Sequence, residues 1–220
     1  MLCQTGGMES APRTYRGVSA EERKARRRAL LLDAGLDLLG TQGWQQTTMT
    51  AVCQRAKLTE RYFYESFADL EELLVAVFER VAAEAAEVVL AASESGEADA
   101  RPRARAAVAA FVELMTDDPR KGRVAFVEAF GSEALMRRRF ETITAFASLL
   151  GDQARGFYGT RPEADRLVNL TSFVMVGGMA EALIAWLGGS IKTSRDELID
   201  DLTDILVATG EWAVQIGRRR

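Results

Sequence analysis

The stretch from Thr48 to Leu73, TMTAVCQRAKLTERYFYESFADLEEL, constrains the fold of this chain more than any other. Thr48 is placed to cap a helix whose Met49, Val52, Cys53 and Ala56 share one apolar side. Lys57 and Leu58 leave room only for a tight turn before Thr59 caps a second, shorter helix. Asp69 then caps a long third helix, along which Leu70, Leu74, Val77, Val81, Ala85 and Val88 keep helical spacing. A helix as short as the middle one has little stability of its own. Leu58, Phe63 and Phe67 are therefore expected to hold it against Val52, Leu36 and Leu39, so that burial sets its angle.

The surrounding chain supports an all-α fold. Only 4 prolines occur in 220 residues, and Val, Ile, Thr and Tyr are not gathered into alternating strand-like runs. Residues 1–18 mix Gly, Ser, Pro and Thr with Arg13 and Arg16, show no apolar face, and read as a flexible basic arm. From Ser19, with Glu22 completing a capping box, a helix carries Leu32, Leu36 and Leu39 on one stripe, with Leu31, Ala34 and Leu38 beside it. Gly40 and Gly43 are expected to end it. Beyond a break at Ser93–Gly96, helices are predicted over Arg101–Asp117, Val124–Phe130, Ser132–Tyr158, Pro162–Leu187 and Arg195–Ile216. In Ser132–Tyr158 the expected buried stripe is Met136, Phe140, Ile143, Ala147, Leu150, Ala154 and Phe157. The divisions are residues 1–18 for the arm, 19–67 for a three-helix head and 68–220 for a helical body.

Charge separates head from body. Between Arg13 and Ser66, 10 Lys and Arg face 6 Asp and Glu, whereas the rest of the chain holds 18 against 26. A nucleic-acid-binding head on a body that does not bind nucleic acid would be divided in this way. The chain has no histidine, which removes a Ser-His-Asp triad, a His general base and most zinc sites. Cys3 and Cys53 do not form a disulfide framework. No apolar run approaches the roughly 20 residues of a membrane span, and the polar start lacks a signal-peptide core; a cytoplasmic location without membrane contact is expected.

The segment Ala29–Leu74 resembles the N-terminal region of the TetR family of transcriptional repressors. The likeness rests on Gly43-Trp44, Thr48, Val52-Cys53, Ala56, Leu58-Thr59, Phe63-Tyr64, Phe67 and Leu73. It departs from the family at Lys57, usually glycine; Ser66, frequently histidine; and Leu70, where a phosphate-contacting lysine is frequent. The resemblance implies a helix-turn-helix head, a C-terminal effector-binding and dimerisation domain, and a DNA surface made by Arg27, Thr48, Thr50, Lys57, Thr59, Arg61, Tyr62 and Tyr64. Small or hydroxyl residues near the start of a reading helix let the backbone approach phosphates, and side chains a turn later reach base edges. By residue type alone, Arg61 and Tyr62 also suit an ordinary exposed face, and Tyr64 suits packing. The Arg23–Arg28 run equally suits a solvated surface. Arg137–Arg139 is expected to pair with Glu133 and Glu141, and Arg218–Arg220 to be a frayed end.

In the body, Phe111, Met115, Phe126, Phe130, Phe146, Phe173 and Met175 could converge on an effector pocket, with Glu128 and Glu181 interrupting apolar runs as readers of a cationic or hydroxyl-bearing ligand. A plain packed core fits each residue equally well. Gly178, Ala182, Trp186, Leu202, Ile205 and Trp212 are the expected dimer interface, small residues beside large ones on the last two helices. The expected function is a homodimeric one-component repressor that binds a palindromic double-stranded operator and is released by a small-molecule effector, without enzymatic activity, cofactor or metal. The alternatives are a helical ligand carrier and a small helical enzyme, neither binding DNA.

Overall fold

The computed structural model describes residues 19–94, 99–159 and 165–219, with side chains described up to residue 216. The expected arm, Cys3, Pro162 and the terminal Arg220 lie outside the described residues. Among the described residues the secondary structure is helical throughout. The head comprises α1 (Ala20–Gln42), a 3-10 turn at Trp44–Gln46, α2 (Met49–Ala56) and α3 (Glu60–Tyr64). α4 (Leu70–Ser93) leads into a body of α5 (Ala100–Asp117), α6 (Pro119–Phe126), a 3-10 turn at Glu128–Phe130, α7 (Glu133–Tyr158), α8 (Asp165–Leu187) and α9 (Arg195–Arg219).

Local capping sets where the helices begin. Ser19 and Glu22 form the reciprocal capping box, and Thr48, Asp69 and Ser132 each accept a bond from a backbone N–H of the first helical turn. Burial then sets how they pack. Leu31, Leu39, Val52 and Phe63 close the head core, and Leu73 and Val77 of α4 complete it, lying directly beside Gly35 of α1. The first turns of α4 therefore belong to the packing of the head, while its later turns face the body.

Gly40 was expected to end α1, but the helix passes through it and stops only at Gly43, whose φ of 85° no L side chain adopts easily. Gly40 instead allows α1 and α6 to cross closely: a Cβ there would stand 2.3 Å from the Arg120 Cβ and 2.6 Å from its Cα. The expected stripe of α7 is only half realised. Ala147 is buried, but Met136 and Phe140 are exposed, because the first turns of α7 turn Leu135 to the core instead and leave Phe140 to pair edge-on with Phe173 of α8. The triplet Arg137–Arg139 is neutralised, by Glu133, by Glu141 and Glu79, and by Glu181 respectively.

α8 overturns one expectation. An 18-residue window of it has a mean hydropathy of 1.6, so the helix is by length and composition apolar enough to cross a bilayer. The apolar residues are spaced by Asn169, Thr171, Ser172, Gly177 and Gly178, which hide the run from a search for unbroken apolar sequence. Only 11% of that window is buried; along the whole helix Val168, Ser172 and Leu183 face the fold, and Leu170, Phe173 and Val174 point outward.

Candidate functional site

The turn between α2 and α3 is a Schellman motif: the Leu58 N–H donates to the Cys53 carbonyl at 2.9 Å and the Lys57 N–H to that of Gln54 at 3.1 Å. The motif requires a left-handed residue, and Lys57 adopts φ 55° and ψ 41°. A side chain in this conformation costs about 1–2 kcal/mol. Part of that is returned on replacement by glycine, which raises the entropy of the unfolded chain. Lys57→Gly is accordingly expected to stabilise the head by up to about 1 kcal/mol, read as a higher denaturation midpoint. If Lys57 contacts a phosphate, the same variant lowers the salt dependence of DNA binding by about one unit of slope.

α3 is held from below. Phe63 is fully buried and Phe67 is 2% exposed, their ring centroids 5.8 Å apart, and Leu58 packs beside them. The outer side of α3 is left to solvent: Thr59, Arg61 and Tyr64 are exposed, as are Thr48 and Thr50 at the start of α2 and Lys57 at its end. Thr48 spends one lone pair on the Ala51 N–H, whereas Thr59 occupies the N-cap position of α3 without a side-chain capping bond. Tyr62 is half-buried beneath the Arg27 guanidinium, 4.4 Å from its ring centroid, and Arg27 also pairs with Glu65 at 2.9 Å. Arg27, expected on the DNA surface, thus braces α3 from α1, and its cation is already matched. Arg61 approaches the same Glu65 at 3.6 Å with its side chain 86% exposed. Arg28 lies over Phe67, 5.0 Å from its centroid. Burial pushes the Cys53 thiol up, and Glu60 adds to the effect; Cys53 is a free core residue.

A joint between head and body sits behind this surface. Glu128 accepts from the Trp44 N–H at 2.7 Å and from Arg123 Nε at 2.9 Å, and Arg123 Nη1 donates to the Thr41 carbonyl at 2.9 Å. Asp37 of α1 takes Arg55 of α2 at 2.5 Å and Arg120 of α6 at 3.2 Å. Arg120 grips Asp118 through two nitrogens, which holds the Asp118 carboxyl below the usual carboxylate range. Glu128 was expected to read a ligand. It faces the head instead, because the 3-10 turn after α6 directs its carboxylate at Trp44.

The other side of α6 walls a body cavity of about 270 Å³. α4, α5, α6, α7, α8 and α9 all line it, and its wall includes five of the expected residues: Phe111, Met115, Phe126, Phe146 and Met175. Phe111 stands edge-on to Phe126 at 6.4 Å and tilted to Phe146 at 6.4 Å. Phe130 and Phe173 do not take part. Phe130 is exposed beneath the Arg139 guanidinium and Phe173 pairs with Phe140 on the outer surface. Glu181 is likewise outside, paired with Arg139. The wall contains a residue that sequence reasoning missed, Arg103, bonded to Gln153.

Of the expected interface residues, Gly178, Ile205 and Trp212 are exposed, Ile205 and Trp212 each by more than half. Ala182 is half-buried. Leu202 is buried within its own chain and so turns inward, while the half-buried Trp186 donates its indole N–H to the Thr193 carbonyl at 2.9 Å.

A short exposed helix fixed by a tight turn to a buried partner defines the helix-turn-helix class of DNA-binding proteins. Residues 31–77 match the family model of bacterial regulatory proteins, tetR family. The head of this chain is thus similar to the head of the tetR-family bacterial regulatory proteins. Its whole fold is similar to solved structures of low identity. The fatty acid degradation regulator FadR from Bacillus halodurans is 15% identical, covering 82% of this chain and 94% of its own, with a TM-score of 0.67. A TetR-like transcriptional regulator from Rhodococcus sp. RHA1 is 20% identical over 85% and 94%, with a TM-score of 0.60. FadR from Bacillus subtilis, in complex with stearoyl-CoA, is 16% identical over 84% and 97%, with a TM-score of 0.60. Among curated proteins there is no match.

Proposed function

We propose that this chain is a cytoplasmic, non-enzymatic repressor that binds a palindromic operator as a homodimer and is released when a small molecule enters the body cavity. The observation that carries the reading is the outer side of α3, where Thr59, Arg61 and Tyr64 are exposed on a helix whose opposite side is locked by Phe63. Two such helices about 34 Å apart would meet successive major-groove faces of one duplex. The outward apolar side of α8, with Leu170, Val174 and Gly178, together with Ile205 and Trp212 of α9, supports pairing of two copies there. Release is supported by α4 and α6, each of which contributes to the cavity wall and also packs against the head. A ligand acts only through its differing affinity for the two arrangements of the dimer. The stearoyl-CoA complex of the Bacillus subtilis protein supports a ligand-responsive body in this fold.

An operator selected from a random duplex pool provides the test. Arg61→Ala is expected to weaken binding to it by about 1–3 kcal/mol, a loss of roughly five- to 150-fold, if the guanidinium reads a base. Sedimentation of the variant should be unchanged, because Arg61 lies on the head. Undiminished affinity in an anisotropy titration would remove Arg61 from the interface, and a pool without an enriched palindrome would remove the dimeric operator.

A further inference from the structure

We propose that the body cavity is built for an amphipathic monocarboxylate, with the carboxylate on Arg103 and Gln153 and an apolar tail laid along α5 past Phe111 toward Met115 and Phe126. The proposal deepens the functional reading above, since it rests on the cavity being the effector site. Its first support is the sign of charge in the wall. Among the described residues no Asp or Glu lines the cavity, and its cations are Arg103 and Arg139. Arg139 is already matched by Glu181 and lies over Phe130. Arg103 is half-buried, and the polar partner it has is neutral: its Nη2 donates to Gln153 Oε1 at 3.0 Å. A guanidinium sheltered from water gains most from a carboxylate, which it can hold by two parallel bonds, and the Gln153 amide retains its own N–H donors for the same anion.

The second support is helical geometry. Arg101 and Arg105 are four residues apart, share one side of α5, and are matched by Asp204 and Asp200 of α9. Arg103 falls between them, so at 3.6 residues per turn it projects from nearly the opposite side, into the cavity. The third is shape. Along α5 from Arg103 to Met115 the wall extends about 18 Å at 1.5 Å per residue, and it is apolar at Ala104, Ala107, Val108 and Phe111. The wall is mostly apolar, its further polar groups being Arg139 and the hydroxyls of Ser93, Thr142, Tyr158, Thr171 and Ser172, so a charged head on a long apolar tail describes the ligand as much as the site. A cationic ligand, which Glu128 and Glu181 would have suited, meets no counter-charge here.

The test uses the full chain, stripped of bound lipid, in calorimetric titrations with dodecanoate, dodecanol and dodecanoyl-CoA. Dodecanoate should bind about ten- to a hundredfold more tightly than dodecanol, the worth of one charged hydrogen-bonded pair. Arg103→Gln should abolish that preference while leaving the affinity for dodecanol unchanged, which also reports that the cavity is intact. Gln153→Leu should lower dodecanoate affinity several-fold as a second, independent variant. Equal binding of acid and alcohol, a preference that survives Arg103→Gln, or a thioester that outbinds the free acid would each overturn the proposal. Operator release separates the two readings. Dodecanoate that binds through Arg103 without releasing DNA overturns the release mechanism and leaves the carboxylate site; release by dodecanol with no effect of dodecanoate overturns the carboxylate site and leaves the mechanism.

Discussion

Phe63→Ala is expected to destabilise the head by about 3–5 kcal/mol and to abolish operator binding at concentrations that saturate the unaltered protein. Phe63 has no exposed surface, and its ring sits edge-on to Tyr64 at 5.7 Å and tilted to Phe67 at 5.8 Å. α3 spans only Glu60–Tyr64, far below the length at which a helix holds itself together in water. The cavity left by the ring therefore removes both the transfer energy of the side chain and the anchor that orients α3. Denaturant unfolding would give the first quantity and DNA titration the second. A stability loss under about 1 kcal/mol would mean that α3 is oriented by the Arg27–Tyr62–Glu65 cluster on its flank rather than by what lies beneath it.

Gly40→Ala is the second large effect, expected through the joint. The added Cβ would meet Arg120 Cβ, Cα and Cγ at 2.3, 2.6 and 2.8 Å, and the first two cannot be relieved by rotating a side chain. Either α1 and α6 move apart or the head tilts, at a cost of about 1–3 kcal/mol or more for overpacking. Movement there strains the contacts of Arg120 with Asp37 and of Arg123 with the Thr41 carbonyl. The expected result is a lower melting temperature together with a changed operator affinity. Gly156→Ala is the control: a Cβ there meets nothing within 4 Å on a helix interior, so the replacement should be neutral or stabilise by about 0.5–1 kcal/mol. Equal responses at Gly40 and Gly156 would show that the crossing is loose.

What was legible in the sequence was what depends on neighbours along the chain. Ser19, Thr48, Asp69 and Ser132 announce helix starts because a cap and the N–H it accepts lie within one turn. Phe63 and Phe67 were readable as the underside of α3 because helical spacing already places them there. Glu128 was misread because the partner that turns it to the head lies across the fold: the Trp44 N–H is 84 residues away, and a carboxylate among apolar residues looks the same from the sequence whether it meets a ligand or a backbone. Leu202 was misjudged for a related reason, since α9 is apolar on more than one side and the sequence does not say which side the chain itself covers. Arg103 did leave a signal. In the run ARPRAR, the outer two arginines share a helix face with acidic partners on α9 and the middle one cannot.

The placement of α4 has a mechanical consequence. One continuous rod of 24 residues, about 36 Å long, packs at its start against Gly35 in the head and lines the cavity from Phe78 to Ser93. No hinge residue interrupts it: its sequence from Leu70 to Ser93 contains neither glycine nor proline. A tilt of about 5° pivoted at the far end would carry the near end through about 3 Å, comparable to the rise of two residues along a helix. Leverage of that kind needs no chain of intermediate contacts, and stiffening or shortening the rod would alter the swing without touching either of the surfaces it connects.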